Sequence, residues 1–130
     1  MFEVDLQSFW QAHPQLGQGN PSLKLWPGRL PANPTLPAVT YQRVSAPEEY
    51  SHDGVTNMVE ARIQFGIYDD SWADAWSAAG RVRSVFKSFR GTMGSTEVQR
   101  TRKDNDFDLR DPDSGLPRRL IDVFIRYRET

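Results

Sequence analysis

Nine consecutive residues, Val59 to Ile67, alternate apolar and polar without a break. Val59, Ala61, Ile63, Phe65 and Ile67 share one parity; Glu60, Arg62, Gln64 and Gly66 share the other. A period of two demands a β-strand with one buried face, because a slip of one residue would turn the whole apolar set to water. The period then changes. From Ser71 to Arg90 the apolar residues Trp72, Ala75, Trp76, Ala79, Val82, Val85, Phe86 and Phe89 recur at spacings of three and four. That is the stripe of a helix lying on a sheet. Ser71 followed by Asp74 resembles a capping box with Asp in the usual Glu or Gln place, and Gly91 supplies a left-handed stop. Burying this helix face is expected to be the largest single contribution to the core, at roughly 1.5–3 kcal/mol per large side chain.

The remaining elements are arranged around this pair. Val4 to Leu16 places Leu6, Phe9, Trp10, His13 and Leu16 on one side of a short amphipathic helix, weakened at its last turn by Pro14. Gly17 to Pro21 breaks the chain and Leu23 to Trp26 reads as a short strand. Pro27 to Pro37, with four prolines and a glycine, reads as an extended connection. Ala38 to Ser45 reads as a strand and Ala46 to Gly54 as a polar loop. Glu97 to Lys103 alternates as a polar edge strand. Asp111 to Gly115 forms a tight turn, and Arg118 to Arg128 closes the chain as a strand with Ile121, Val123, Ile125 and Tyr127 on one face. The order implies an α+β fold: a mainly antiparallel sheet with a long helix and a short N-terminal helix packed on one face. At 130 residues the chain is expected to be one domain, residues 1–130.

Composition excludes several kinds of chemistry. There are no cysteines, so disulfides, thiolate metal sites and cysteine nucleophiles are absent. The formal net charge of −1 lacks the basic excess of a dedicated nucleic-acid binder. The N-terminus carries Glu3 and Asp5 where a secretory signal would be basic, then apolar. No apolar run approaches the roughly 18 residues of a membrane span. The protein is expected in the cytoplasm, or in something assembled there.

No catalytic constellation emerges. His13 lies near the apolar stripe of the first helix and reads as a partly buried structural histidine. His52, between Ser51 and Asp53, reads as loop polarity, since three adjacent residues cannot adopt triad geometry. The carboxylates at Asp69–Asp70, Asp104–Asp106 and Asp108–Asp113 lack the ligand spacing of a calcium loop and suit turns and caps. Gly91 and Gly94 lack the lysine and the setting of a phosphate loop. No cofactor or metal is expected, and the chain does not read as an enzyme. Eleven of the sixteen basic residues fall into three groups: Arg81, Arg83, Lys87 and Arg90 near the solvent side of the long helix; Arg100, Arg102 and Lys103 on one strand; Arg118, Arg119, Arg126 and Arg128 on another. Arginine alternating along strands suits a surface facing DNA, a neighbour's aspartates, or simply solvent. Long open strand edges also invite pairing with another chain.

Three stretches carry a family resemblance. The first is Leu36-Pro37-Ala38-Val39-Thr40-Tyr41-Gln42-Arg43-Val44-Ser45. The second runs from Val59 through Ala61-Arg62-Ile63-Gln64 to Tyr68, then through an acidic turn into the Ala-rich helix ending at Phe89. The third is Asp108-Leu109-Arg110-Asp111-Pro112-Asp113-Ser114-Gly115-Leu116-Pro117-Arg118, followed by a closing strand ending Phe124-Ile125-Arg126-Tyr127-Arg128-Glu129. In order and spacing these resemble the tail-completion or tail-terminator family of long-tailed phages and prophages, from Leu23 to the end. The Trp72 and Trp76 pair and the proline-rich Trp26 to Pro37 stretch depart from that pattern. The resemblance implies a structural virion protein that forms a ring, usually six-fold, on the end of the tail tube. Such a ring stops tube growth and meets a head-completion or neck protein while DNA passes through it. On that picture Tyr50, Asp53, Arg110 and Asp111 are expected at the ring or partner interface, and Arg100, Arg102 and Lys103 along the DNA channel. The alternative is a monomeric or dimeric protein-binding module of a phage or prophage, anchored by aromatics such as Trp26, Trp72 or Tyr50.

Overall fold

The fold is seen in a computed structural model that describes residues 1–45, 48–51 and 54–128, with side chains described for 1–44 and 58–128. Helix α1 (Phe2–Ala12) is followed by β1 (Lys24–Pro27), β2 (Ala38–Ser45), β3 (Glu48–Ser51) and β4 (Gly54–Tyr68). Helix α2 (Trp72–Phe86), β5 (Gly91–Met93), β6 (Thr96–Asp108) and β7 (Arg118–Arg128) complete the order. The strands form one sheet in the order β1-β2-β4-β7-β6-β5, with β3 also paired to β4. Every pairing is antiparallel except β1 with β2. This is the expected α+β architecture.

Both helices cover the same face. Val59, Ala61, Ile63, Phe65 and Ile67 of β4 point inward with Ile121, Val123, Ile125 and Tyr127 of β7, so the two alternating strands share one apolar surface. From α1, Phe2 stacks on Tyr127 at 4.4 Å, and Trp10 lies 5.4 Å from Phe65 and 6.1 Å from Phe86. Phe65 stacks on Phe86 of α2 at 5.1 Å. The Trp10 Nε1–H donates to the Leu23 carbonyl at 2.7 Å, which ties α1 to the segment entering β1.

Several boundaries move for identifiable reasons. Helix α1 stops at Ala12 and not at Leu16, because His13 precedes Pro14 and takes extended backbone (φ −76°, ψ 132°). Leu16 is still fully buried, reached through the turn in which the Gly17 N–H returns to the Trp10 carbonyl. Helix α2 ends at Phe86 and not at Arg90. There the buried Thr101 hydroxyl of β6 donates to the Phe86 carbonyl at 2.8 Å and accepts the Phe89 N–H at 2.7 Å. Gly91 accordingly begins β5 and does not close the helix. The expected Ala46 to Gly54 loop contains a short strand: Glu48–Ser51 pairs with β4, while Ala46, Pro47, His52 and Asp53 lie outside the described residues.

The buried stripe of α2 is Ala75, Ala78, Ala79, Val82, Val85 and Phe86, which leaves Trp76 about half exposed. Small alanines let the first two turns sit close to the sheet. Trp76 therefore turns outward and Trp72 is only partly buried, outside the stripe in which the sequence placed both. Ser71 caps the helix as expected, accepting the Asp74 N–H at 3.2 Å. Strand β6 is longer than anticipated, and β5 covers it only from Thr96 to Val98. Its outer edge carries no further strand from Gln99 to Asp108 among the described residues. The turn at Asp111 forms as expected, closed by Gly115 N–H to the Asp111 carbonyl (2.8 Å) with Gly115 at φ 74°.

Candidate functional site

The sheet face away from the helices is not covered by either of them. The register sets Glu60 of β4 beside Arg126 of β7, and Arg126 beside Arg100 of β6; the next row is Arg62, Phe124 and Arg102. On β4 and β7 strand periodicity brings these side chains to one face, opposite the buried apolar set, and on β6 the register shift after buried Val98 turns Arg100 and Arg102 to that same face. The Arg102 guanidinium lies 4.1 Å from the centre of the Phe124 ring, and that of Arg62 lies 5.9 Å from the same ring. Arg62 donates to Asp122 at 2.7 Å, and Gln64 donates to the second Asp122 oxygen at 3.0 Å. Asp122 is only 2% exposed, so it reaches the open face as a covered carboxylate. The hydrogen bond to Asp122, then its charge, holds the Arg62 pKa above its ordinary value.

Carboxylates temper the other arginines of this face. Arg102 lies 3.8 Å from Glu60 and Arg128 lies 3.9 Å from Glu97. Arg100 is exposed and forms no ion pair with a described residue. Of the three basic residues expected to act together, Arg100 and Arg102 do share this face. Lys103 does not: it pairs in register with Val123 and points to the helix side, its Nζ 3.3 Å from Asp106.

Asp106 is the centre of an ion cluster that the sequence spacing does not reveal. Its carboxylate accepts from Arg83 of α2 at 2.9 Å, from Arg119 of β7 in a short contact, and from Lys103. Burial pushes its pKa up, but the three hydrogen bonds outweigh burial and hold it below the ordinary carboxylate value. Arg119 also reaches Asp108 at 3.0 Å, and Asp108 accepts the Trp76 indole N–H at 2.9 Å. Arg81, expected on the solvent side, instead donates to the carbonyls of Gln15 and Pro21, both at 2.8 Å, and clamps the loop after α1.

Of the four expected interface residues, the three that are described lie at two ends of the sheet. Tyr50 is in β3, its backbone paired with Val55, and Asp53 lies outside the described residues. Arg110 and Asp111 sit beyond the far end of β4, whose 15 residues span roughly 45–50 Å. One chain therefore does not bring Tyr50 to Arg110 and Asp111. Arg110 donates to the Gly115 carbonyl at 2.6 Å and lies over the Trp72 ring at 5.4 Å. Asp111 serves the turn itself, accepting from both the N–H and the hydroxyl of Ser114. Burial raises its pKa, but these bonds and nearby Arg118 bring it below the ordinary value. An open cleft of about 540 Å³ separates this turn from the proline-rich segment at Arg29 to Pro34.

Among the described residues no group of three or more His, Cys, Asp or Glu is placed to hold a metal ion. His13 is partly buried, its Nδ1 accepts the Gln15 N–H at 3.1 Å, and burial lowers its pKa. No helix among the described residues is long and apolar enough to cross a membrane.

Comparison with known proteins agrees with a structural role. No curated protein sequence matches the chain. A chain in a solved virion of the native gene transfer agent particle shares the fold with a TM-score of 0.61 at 13% identity. The match covers 80% of this chain and 78% of that one. The family model described as tail completion protein gp17 matches residues 12–128. With nearly the whole length matched, the chain belongs to the tail completion protein gp17 family and is a structural component of a phage-type virion tail.

Proposed function

We propose that the protein assembles as a homo-oligomeric, six-fold ring on the end of the tail tube, stops tube growth, and joins the tail to a head-completion or neck protein. The helix-free face turns to the lumen and DNA passes along it. The observation that carries this reading is the arginine band formed by Arg62, Arg100, Arg102 and Arg126 across β4, β7 and β6. A channel must attract DNA without holding it. Affinity for DNA grows with each phosphate that a protein cation neutralises, because the counterions condensed on that phosphate are released. Arg62 and Arg102 already face Asp122 and Glu60, so they offer guidance with little net charge to neutralise. Arg100 supplies the freer positive charge. The β3 end bearing Tyr50 and the turn bearing Arg110 and Asp111 then meet neighbours or axial partners around the ring.

The experiment is light scattering of the purified protein with and without tail-tube protein, repeated for Arg100→Glu with Arg102→Glu. A six-fold species is expected, at least when tube is present. The double reversal is expected to fold and form the ring yet yield particles defective in DNA passage. Particles with full infectivity would overturn the lumen assignment; a persistent monomer that ignores tube would overturn the ring. A monomeric or dimeric protein-binding module is the second reading, favoured by the outward-facing Trp76, and it predicts that persistent monomer or a dimer.

A further inference from the structure

A groove of about 360 Å³ opens between the outer side of α2 and the uncovered edge of β6. Its lining is Gly80, Arg83, Ser84, Lys87 and Lys103. Gly80 stands at the ninth position of a 15-residue helix, where glycine weakens the helix relative to alanine. The chain's own packing does not require it. A Cβ built there meets only the Arg83 Nη2, at 3.7 Å, an ordinary contact. The missing side chain instead forms the floor of the groove, one helical turn beyond the half-exposed Trp76.

The groove is cationic. Arg83 and Lys103 share the Asp106 carboxylate with Arg119, and Lys87 is exposed without an ion pair among the described residues. An acidic occupant with an apolar anchor fits it, and the chain presents one. In the loop after β6, Leu109 is 50% exposed and Asp113 is exposed without an ion pair among the described residues. A chain cannot fill its own groove with this loop. Arg110 is held over Trp72, eight residues before Gly80 and so about 12 Å away along the helix axis. The loop is also closed on itself by the Arg110 bond to Gly115 and the Arg118 bond to Leu109.

We propose that the Gly80 groove receives the Leu109–Asp113 loop of a second copy of this chain. Leu109 lies against the Gly80 floor and Trp76, and the Asp113 carboxylate lies between Lys87 and Lys103. Loop and groove are different patches, so the contact is heterologous, and each copy gives one loop and takes one; such contacts close a ring when the rotation permits. This rests on the ring reading above and names its subunit contact.

The test compares Gly80→Gln, Lys87→Glu, Asp113→Lys and the double variant Lys87→Glu with Asp113→Lys against the unaltered protein. Ring mass is read by light scattering with tail-tube protein present, and monomer folding by thermal melting. Gly80→Gln is expected to melt at or above the unaltered protein, since Gln is the better helix former, yet to weaken ring assembly by more than about tenfold through overfilling. Each single charge reversal is expected to weaken assembly by about threefold, and the double variant to recover it. A Gly80→Gln ring as strong as the unaltered one, or a double variant no better than its parents, would overturn the contact while leaving the ring reading intact. No ring from the unaltered protein under any condition would overturn both.

Discussion

Replacing Asp106 by Asn removes the one carboxylate on which Arg83, Lys103 and Arg119 converge. Its side chain is 9% exposed, while those of the three cations are 35%, 38% and 23% exposed. Breaking a buried ion pair costs about 3–5 kcal/mol, because the partner charge is left without compensation. Here the stranded cations keep between 23% and 38% of their side-chain surface in water, so screening reduces the loss to roughly 2 kcal/mol. For a domain of this size that is a fall in Tm of roughly 6–10 °C. The pH dependence has a definite sign. The folded-state pKa of Asp106 is held below its ordinary value, so its contribution is complete above the unfolded carboxylate pKa of about 3.9. The contribution disappears as pH falls through the lowered folded value, and Asp106→Asn lacks that part of the acid loss. The assay is urea denaturation at pH 7 and at steps down to pH 2, with Asp108→Asn as control. Asp108 is 34% exposed and is expected to cost less than about 1 kcal/mol. Equal losses for the two variants would refute the idea that Asp106 is the hub. So would a gap between Asp106→Asn and the unaltered protein that stayed constant down to pH 2.

Trp10→Phe keeps an aromatic ring against Phe65 and Phe86 but deletes the indole donor to the Leu23 carbonyl, and is expected to cost about 1–3 kcal/mol by urea denaturation. A loss below about 0.5 kcal/mol would show that this bond does not tie α1 to β1. Gly80→Ala is expected to stabilise the monomer by about 0.5–1 kcal/mol, since the added methyl meets only an ordinary contact. A destabilised alanine variant in thermal melts would mean that the helix needs glycine for its own packing.

Much of the fold was legible because strand and helix periods are properties of a local backbone. The alternation from Val59 to Ile67 and the closing strand Arg118–Arg128 appear as read, and the register then sets them side by side. The candidate site was legible only where it repeats along a strand. Arg100 and Arg102 fall on one face, but the bulge between Val98 and Arg100 and the further shift before Asp106 lie in the pairing with β7, which no spacing announces. Arg83 joined to Asp106 across 23 residues, and Arg81 joined to the loop after α1, are contacts between elements whose angle is decided by packing.

By itself the sequence determined the two helices, most of the strands, the apolar parity of β4 and β7, and the family whose order of segments the chain follows. Each of these is written in neighbouring residues and in backbone geometry. Tertiary structure alone decided the C-terminal end and azimuth of α2. A buried hydroxyl from Thr101 stops the helix at Phe86, and the alanine face sets how closely it approaches the sheet. It also decided that Trp76 faces outward, that Lys103 leaves the arginine face for Asp106, and that Gly80 floors a groove. The physical reason is the same throughout: these outcomes depend on contacts between residues far apart in the chain, and only packing around a shared core brings those residues within reach.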